Sequence, residues 1–332
     1  MGAGGWGTAL SIVAGRAGHD VRLWSRNTGV VEEINRARTN GTYLAGHELP
    51  GEVSATIEAG FALERAELVV LAAPSHATRE VLTSARRYFV EETVFVSATK
   101  GIEIETGKRV SQIVADVLGR DVAATRFVCL SGPSFAQEVA KGQPTAVVAA
   151  SCDERLSRAV QDALSVQNFR VYTNDDVTGT ELGGALKNVM ALAAGIVSGL
   201  GLGANSVAAL ITRGLAEMTR LALSQNARVE TLMGLAGLGD LVLTCTGSLS
   251  RNRYVGHELG RGRPLDEVLA GMNEVAEGVR TTRAVKLLAA RLGVEMPITE
   301  EVHAVLYEGK AARAAAVELM SRPLRGEFEG LA

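Results

Sequence analysis

Short apolar runs alternate with helical patterns over the first half of the chain. Six runs rich in β-branched residues are bounded by Gly, Pro or Asp and predict strands at 21–24, 68–73, 94–98, 127–130, 146–150 and 169–172. Segments with helical spacing separate several of them, at 6–17, 79–88, 109–118 and 154–165. Strands that alternate with helices imply βαβ units and a parallel sheet with helices on both faces.

Every periodic segment after about Asn174 has helical spacing. Seven such segments occur, at 180–198, 206–226, 251–260, 265–270, 277–291, 298–307 and 310–321. A polar stretch at 173–178 separates the two halves. We therefore predict an α/β fold with two domains, a Rossmann-type doubly wound sheet over residues 1–177 and an all-α domain over residues 178–332.

Length, charge and cysteines narrow the class of protein. The chain has 332 residues, a net charge of −3 and 47% hydrophobic residues. These values fit about two globular domains and disfavour binding to nucleic acid, which needs a basic surface. Cys129, Cys152 and Cys245 lie far apart without a CxxC, so we expect reduced thiols, no metal site and a cytoplasmic protein.

The segment between Lys187 and Arg213 has no charge and is long enough to span a bilayer. It is rich in Ala and contains four glycines from Gly195 to Gly203, and its flanking charges show no orientation bias. We therefore predict two buried helices joined by a turn at 199–203, and no membrane span. A signal peptide is not expected either, because no basic start precedes an apolar run.

Gly2, Gly4 and Gly7 form a GxGxxG pattern. Such glycines allow a tight turn, a close backbone approach to a pyrophosphate and close packing of a helix on a strand. A helix that begins near Gly5–Trp6 would point its free N–H groups at the phosphates. The pattern alone is weak, but the helix and the strand at 21–24 that follow it favour a dinucleotide site.

The end of the strand at 21–24 bears on the choice of cofactor. An NAD site usually has a carboxylate there for the ribose 2′-OH, whereas this chain has Ser25-Arg26-Asn27. Arg26 is suited to a 2′-phosphate, and no carboxylate in this segment repels it. We expect NADP(H) to be favoured, with NAD(H) as the alternative cofactor and a merely solvated Arg26 as the alternative interpretation.

Three further loops follow predicted strands, at 71–76, 97–101 and 130–136. Ligands of open α/β sheets bind at the carboxyl ends of the strands, so these loops are expected at the edge that holds the cofactor. Lys100 offers a cation there for a phosphate or for the reacting oxygen. Each loop alone could be an ordinary turn, and their succession after neighbouring strands is what favours a site.

Candidate chemistry in the second half centres on Lys187 and Asn188, which lie in an otherwise apolar helical pattern. A lysine in this setting either extends to solvent or acts in a site, and burial would lower its pKa and suit it to proton transfer. Asp240 stands between glycines and apolar residues. The segment 250–253 begins a helix with a Ser N-cap and either offers cations to a phosphate or is a plain capped helix.

Segments over nearly the whole chain resemble the bacterial glycerol-3-phosphate dehydrogenase [NAD(P)+] family. The most specific are ELGGALKN at 181–188, GLGDLVLTCT at 237–246 and SRNR at 250–253. Others are GAGGWGTAL at 2–10, ATKGIE at 98–103, LSGPSFAQEVAKGQPTAVVAAS at 130–151 and EVAEGVRTT at 274–282. The family commonly has Ser or Ala where this chain has Gly5, which is a minor departure.

This resemblance implies an oxidoreductase that reversibly transfers a hydride between NAD(P)H and dihydroxyacetone phosphate. The product is sn-glycerol 3-phosphate, which feeds glycerophospholipid synthesis. The implied partners are these small molecules, with no nucleic acid and no membrane, and a homodimer is left open. The hydride comes from the nicotinamide, so the protein supplies position and electrostatics and no metal is needed.

Matched motif by motif, the resemblance makes Lys187 the catalytic proton-transfer residue, supported by Asp240. It implies that the substrate is bound by Lys100, Gly132, Ser134, Lys187, Asn188, Asp240, Ser250, Arg251 and Asn252. It implies that the cofactor is bound by Gly2, Gly4, Gly5, Trp6, Gly7, Arg26, Lys100, Ala136, Arg251, Val275 and Glu277.

Two other functions stay open from the residues. One is a reductase of the same architecture that acts on a hydroxyacid, against which the segments 237–246 and 250–253 argue. The other is a catalytically silent nucleotide-binding protein, against which Lys187, Asp240 and Arg251 argue. NADPH oxidation with dihydroxyacetone phosphate and with 2-keto acids separates the three.

The glycine loop begins at residue 2 without a strand in front of it, although the first strand is central in a Rossmann sheet of order 3-2-1-4-5-6. We therefore expect a gap in the sheet, a weaker cofactor site and lower stability, since each buried unpaired backbone group costs about 1–3 kcal/mol. Our hypothesis is that translation of the protein starts about 5–6 residues upstream of Met1. A GTG codon for Val would then have been read as the start codon of Met1. The mass of the native protein tests this hypothesis.

Overall fold

The computed structural model describes residues 1–272, 276–324 and 326–327. The chain divides into two compact units. The first comprises Met1–Lys100 and Val110–Val177, and the second comprises Gly101–Arg109 and Thr178–Ala332. The segment Gly101–Arg109 interrupts the first unit in sequence but packs in the second, where Ile102 is part of the apolar core and Arg109 pairs with Glu181 at 2.5 Å.

Short strands and helices alternate in the first unit. Its described strands are β1 (Val21–Trp24), β2 (Val53–Thr56), β3 (Leu68–Leu71), β4 (Val94–Ser97), β5 (Phe127–Ser131), β6 (Thr145–Ala150) and β7 (Phe169–Asn174). Its described α-helices are α1 (Gly5–Arg16), α2 (Thr28–Ala37), α3 (Ala59–Leu63), α4 (Ser75–Ala85), α5 (Val110–Leu118), α6 (Arg120–Thr125), α7 (Ala136–Ala140) and α8 (Glu154–Leu164). A 3₁₀ turn at Arg86–Tyr88 follows α4.

The strands form two sheets, one of β1 and β2 and one in the order β3-β4-β5-β6-β7. All pairs are parallel except β5 with β6, in which Leu130 lies opposite Ala149 in an antiparallel register. The prediction of a wholly parallel sheet is wrong at this point. The connection between these strands contains only the five-residue helix α7, whereas a parallel crossover usually carries a longer helix across the sheet.

A gap one strand wide separates β1 from β3. At its carboxyl end the Met1 amino group donates to Val70 O at 2.7 Å, and the Gly2 N–H donates to Trp24 O at 3.0 Å. Met1 and Gly2 thus form one rung that is bonded to both strands. Behind this rung is a cavity of about 700 Å³, whose lining includes Leu10, Leu23, Val70, Val160 and Leu164. The two sheets are therefore bridged at this point by Met1 and Gly2.

The second unit is helical over its described residues. Its α-helices are α9 (Val177–Gly199), α10 (Ala204–Leu223), α11 (Val229–Met233), α12 (Asp240–Thr246), α13 (Arg251–Gly260), α14 (Leu265–Ala270), α15 (Glu277–Leu292), α16 (Pro297–Tyr307) and α17 (Ala312–Ser321). α9 is buried from Gly179 to Ile196 and forms the centre of the core. A helix that is apolar on all sides is typical of this position.

Two described segments, Val177–Gly199 and Val229–Thr246, are long and apolar enough to cross a membrane by length and composition. Within Val177–Gly199, 83% of the most apolar window is buried inside the protein. Within Val229–Thr246, 44% of the window is buried, and the segment comprises α11, a π-helical turn and α12. Such burial of α9 is what the core helix of a globular unit shows.

Close packing of α9 against α13 depends on two glycines. A Cβ on Gly195 would collide with the carbonyl oxygen of Arg253, and a Cβ on Gly256 would collide with the carbonyl oxygen of Leu192. Small residues at such a contact bring the two backbones together. As a result, Asn252 at the start of α13 reaches Asn188 on α9, with Nδ2 of Asn252 2.9 Å from Oδ1 of Asn188.

Candidate active site

The glycine loop leaves open space at the start of α1. Gly2 has a φ of +107°, and a Cβ there would lie 3.0 Å from the carbonyl oxygen of Ala72. A Cβ on Gly7 would collide with the carbonyl oxygen of Gly2, whereas nothing lies within 4 Å of the corresponding position on Gly4. α1 begins at Gly5 without a side-chain cap, so its first N–H groups suit the pyrophosphate of a dinucleotide.

Lys100, Gly132 and Ser134 meet at the carboxyl ends of β4 and β5. Nζ of Lys100 donates to Gly132 O at 2.8 Å and to Ser134 Oγ at 3.2 Å, and it lies 5.9 Å from the centre of the Trp6 ring. The buried Nε1 of Trp6 has no hydrogen-bond partner in the part of the chain that the structure describes. Two loops expected at one edge of the sheet are thus in contact, and Lys100 joins them to the glycine loop.

Gly132 and Ala136 shape the loop after β5. Gly132 has a φ of +129°, and a Cβ there would lie 3.0 Å from Cα of Val147, so this position requires glycine. α7 begins at Ala136, which packs against the apolar core of the first unit. The loop therefore holds Ser134 in place, and Oγ of Ser134 donates to Gly132 O at 3.0 Å.

Arg26 is exposed at the carboxyl end of β1. The residues on either side of Arg26 form local hydrogen bonds. Ser25 Oγ accepts from the Asn27 N–H at 3.1 Å, and the Asn27 side chain caps α2. The Arg26 side chain is 62% exposed, and its Nη1 lies 3.4 Å from Oε1 of Glu80 on α4. An anion at this edge of the first unit would therefore find the guanidinium accessible.

Lys187 is buried on α9 and does not extend to solvent. Its Nζ donates to Oδ1 of Asp240 at 2.7 Å and to Oγ1 of Thr244 at 2.9 Å. The side chains of Lys187 and Asp240 are 9% and 1% exposed. Oγ1 of Thr244 donates to the carbonyl oxygen of Asp240 at 2.6 Å, so a lone pair of this hydroxyl is directed at the lysine.

A single π-helical turn positions Asp240. The turn spans Leu235–Gly239, and α12 begins at Asp240 directly after it. A Cβ on Gly183 of α9 would lie 2.5 Å from the carbonyl oxygen of Ala236, so the turn packs directly on α9. Single π turns are frequent at functional sites because they re-aim the side chains that follow.

Thr244 is a residue of this group that sequence reasoning missed. It lies four residues after Asp240 in the segment GLGDLVLTCT, so both residues share one face of α12. This spacing of four residues was the signal in the sequence from which Thr244 could have been found. The neighbouring Cys245 is buried, and burial raises the pKa of its thiol to about 12, so the thiol stays neutral beside the Lys187–Asp240 pair.

Asn188 and Asn252 form a buried chain of hydrogen bonds. The Asn252 amide donates to Asn188 Oδ1 at 2.9 Å, and its own Oδ1 accepts from the Gly278 N–H at 2.9 Å. Gly278 was also missed by sequence reasoning, and a Cβ there would lie 2.6 Å from the carbonyl oxygen of Asn188. The chain fixes α9, α13 and the start of α15 next to Lys187.

The remaining described residues of the expected site lie at the N-termini of α13 and α15. Ser250 is buried, and its Oγ accepts from the Arg253 N–H at 3.2 Å, so it is a helix cap. Arg251 is exposed and begins α13, while Glu277 begins α15 beside Gly278. Val275 lies outside the described residues. No group of three or more His, Cys, Asp or Glu side chains that could hold a metal ion occurs over 1–272, 276–324 and 326–327.

The fold and these residues define a class of protein, a two-unit nicotinamide-dependent oxidoreductase. A glycine loop before a helix accepts the dinucleotide in Rossmann folds, and this chain has such a loop before the uncapped helix α1. Its helical unit carries the buried Lys187–Asp240 pair. The chain belongs to the NAD-dependent glycerol-3-phosphate dehydrogenase family. The N-terminal model of this family matches residues 1–157, and its C-terminal model matches residues 176–317.

Relatives over the full length agree with this assignment. The chain is 55% identical over 325 residues to glycerol-3-phosphate dehydrogenase [NAD(P)+] of Koribacter versatilis, covering 97% of this chain and 96% of that protein. It is 53% identical over 327 residues to the protein of the same name from Geobacter sulfurreducens, covering 98% and 97%. The crystal structure of glycerol-3-phosphate dehydrogenase from Coxiella burnetii superimposes with a TM-score of 0.92 at 41% identity, covering 97% of each chain. The family and the fold predicted from the sequence are confirmed.

Proposed function

We propose that this chain is an NAD(P)-dependent sn-glycerol-3-phosphate dehydrogenase that interconverts dihydroxyacetone phosphate and sn-glycerol 3-phosphate. The buried Lys187–Asp240 pair is the observation that carries the chemistry. Relatives that are more than 50% identical over nearly the whole chain and bear this name support the substrate. The proposed setting is the cytoplasm, where the product would enter glycerophospholipid synthesis, and the three cysteines of the chain are free thiols.

The first unit would hold the dinucleotide. Gly2, Gly4, Gly5, Trp6 and Gly7 would place backbone N–H groups and an aromatic ring against it, since the loop is open and α1 is uncapped. When bound, the reduced nicotinamide supplies the hydride that the carbonyl carbon needs. Lys100 would add a cation, and Ala136 would line the same site. Val275 and Glu277 are also proposed to bind the cofactor.

Lys187 would transfer the proton. During reduction its Nζ gives a proton to the carbonyl oxygen of the substrate, and in the reverse direction it takes the proton of the hydroxyl. Asp240 and Thr244 each accept a hydrogen bond from Nζ, which holds the ammonium group in a fixed position. A pre-set geometry of this kind lowers the barrier because no reorganisation is needed during the reaction.

The remaining polar residues would bind the three-carbon phosphate. Arg251 is an exposed guanidinium at the start of α13, next to the backbone N–H groups of that helix. Ser250, Asn252 and Asn188 would line the pocket, since all three side chains are buried and Asn252 is hydrogen-bonded to Asn188. Lys100, Gly132 and Ser134 are also proposed to bind the substrate.

NADP(H) is proposed as the favoured cofactor, with NAD(H) also accepted. Arg26 is the support for this preference, because it is exposed at the end of β1 where a 2′-phosphate is expected. A guanidinium binds phosphate with strong charge-assisted hydrogen bonds. The dual designation NAD(P)+ in the names of the relatives supports the use of both dinucleotides.

Steady-state oxidation of NADPH with a panel of carbonyl compounds tests this function. We expect dihydroxyacetone phosphate to be reduced with a kcat/KM at least 10³-fold above that of pyruvate or ketopantoate, because those acids lack the phosphate that Arg251 binds. Dihydroxyacetone is the matched control, since it has the reacting group and no phosphate. A preference for a 2-keto acid would contradict the proposal.

A further inference from the structure

Glu80 lies beside Arg26, the cation that is expected to bind the 2′-phosphate of the cofactor. Its Oε1 is 3.4 Å from Nη1 of Arg26, although Glu80 is on α4 and Arg26 follows β1. The side chains are 72% and 62% exposed, so both face solvent. Arg79, the residue before Glu80, is paired with Asp116 at 2.9 Å.

An exposed pair of this kind is easily opened by a ligand. Surface ion pairs contribute about 0–1 kcal/mol, because solvent screens both charges. An incoming phosphate can therefore replace Glu80 as the partner of Arg26. An uncharged ligand leaves the pair intact and meets a carboxylate next to the guanidinium.

Glu80 brings a carboxylate from α4 close to the residue that follows β1. NAD sites use an acidic side chain at the end of the second strand of the βαβ unit to accept from the ribose 2′-OH. Ser25-Arg26-Asn27 has no such side chain. A group that contacts Nη1 of Arg26 is also close to Oε1 of Glu80, since these two atoms are within hydrogen-bonding distance of each other.

We propose that Glu80 is a specificity-determining residue that makes the site accept both dinucleotides. Its carboxylate accepts a hydrogen bond from the 2′-OH of NAD(H), and it weakens NADP(H) because it repels the 2′-phosphate and competes for Arg26. The inference rests on the proposed function, in which the Gly2–Gly7 loop binds the dinucleotide. The preference between NADP(H) and NAD(H) then depends on the Arg26–Glu80 pair.

Equilibrium binding tests the role of Glu80 without turnover. Isothermal titration calorimetry would give the dissociation constants of NADP⁺ and NAD⁺ for the wild type and for Glu80→Gln. We expect Glu80→Gln to bind NADP⁺ about fivefold more tightly and NAD⁺ about fivefold more weakly, as the charge is lost and the amide is a poorer acceptor. Arg26→Gln should move the NADP⁺ constant in the opposite direction.

Glu91→Gln is the matched control, because Glu91 is also exposed in the first unit but precedes β4, at the opposite end of the strands. Its two dissociation constants should equal those of the wild type. A Glu80→Gln variant whose ratio of constants stays within twofold of the wild type would overturn the assignment. A wild-type chain that binds neither NADP⁺ nor NAD⁺ would instead overturn the proposed function, and the assignment with it.

Discussion

Nζ of Lys187 lies 2.7 Å from Oδ1 of Asp240, and both side chains are more than nine-tenths buried. A buried ion pair of this kind is weak evidence for stability, because the desolvation of two charges offsets their attraction. Replacing one partner alone leaves an uncompensated charge and is strongly destabilising. The pair is therefore better explained by chemistry than by folding, and this explanation can be tested.

Replacement of Lys187 should abolish proton transfer without abolishing cofactor binding. We expect Lys187→Ala to lower turnover at least 10²-fold, on the scale of general acid–base catalysis. The double variant Lys187→Met/Asp240→Asn removes both charges and separates loss of chemistry from loss of folding. Stopped-flow turnover and NADPH fluorescence would be measured for each variant.

Lys286 provides the control for this experiment. It is a partly exposed lysine of the same unit, paired with Glu308 at 2.8 Å. Lys286→Ala should keep near-normal turnover. Near-normal turnover of Lys187→Ala would remove Lys187 from its proposed role.

Thr244 should act as a positioning residue for Lys187. Thr244→Val keeps the shape of the side chain but removes the oxygen that accepts from Nζ. We expect about a tenfold loss of kcat, which corresponds to one hydrogen bond to a charged group, and a shift in the pH profile of kcat. Thr244→Ser should restore both, whereas an unchanged kcat in Thr244→Val would mean that the hydroxyl only fills space.

Glu217 should make the stability of the second unit depend on pH. Burial raises the pKa of this carboxyl to about 7, although it accepts from the N–H groups of Ile298 and Thr299. The folded state therefore holds the proton more tightly than the unfolded state, so this contribution to stability is complete below about pH 4.5 and is lost as the pH rises through 7.

Urea unfolding at pH 5 and pH 8 measures this effect. We expect the free energy of unfolding attributable to Glu217 to fall by about 1–3 kcal/mol between these values. Glu217→Gln cannot titrate and should flatten the dependence. Parallel curves for the wild type and the variant would contradict the assignment of this titration to Glu217.

We expect that an added strand can fill the gap between β1 and β3. A chain extended before Met1 by about five apolar, β-branched residues would place a strand between these two edges and fill the cavity of about 700 Å³. We expect the extended chain to melt several degrees higher and to bind NADPH more tightly. An extension that contains two prolines is the control, because proline removes ladder N–H groups. Equal melting temperatures for the two extensions would mean that no strand forms.

The sequence predicted many of the elements, but it missed the amphipathic helix α2 (Thr28–Ala37) and several short elements. The strand at 21–24 and the helices at 251–260 and 265–270 are found as predicted. Strand β2, with the sequence VSAT, and helices α3 and α11, with five residues each, are too short for a periodic signal. The antiparallel β5–β6 pair depends on the path of a connection, which local patterning does not encode.

The same distinction applies to the site. Lys187, Asn188 and Asp240 could be named because they stand out in an apolar context, and Asn252 could be named from the resemblance of its SRNR segment. The structure brings Lys187 and Asp240, and Asn188 and Asn252, into hydrogen-bonding contact. Thr244 and Gly278 were missed because a threonine on a helix and a glycine at a helix start are ordinary by composition. Their roles follow from tertiary contacts with α9, which only the fold determines.

The reduction of dihydroxyacetone phosphate to sn-glycerol 3-phosphate is tested best by identifying the product of a single reaction. Purified chain, NADPH and dihydroxyacetone phosphate would be mixed, with absorbance followed at the wavelength of the reduced nicotinamide and the product identified by enzymatic or chromatographic assay. We expect one sn-glycerol 3-phosphate to form for each NADPH oxidised, and Lys187→Ala to form it at least 10²-fold more slowly. Wild-type chain that binds NADPH but forms no glycerol 3-phosphate would contradict this expectation.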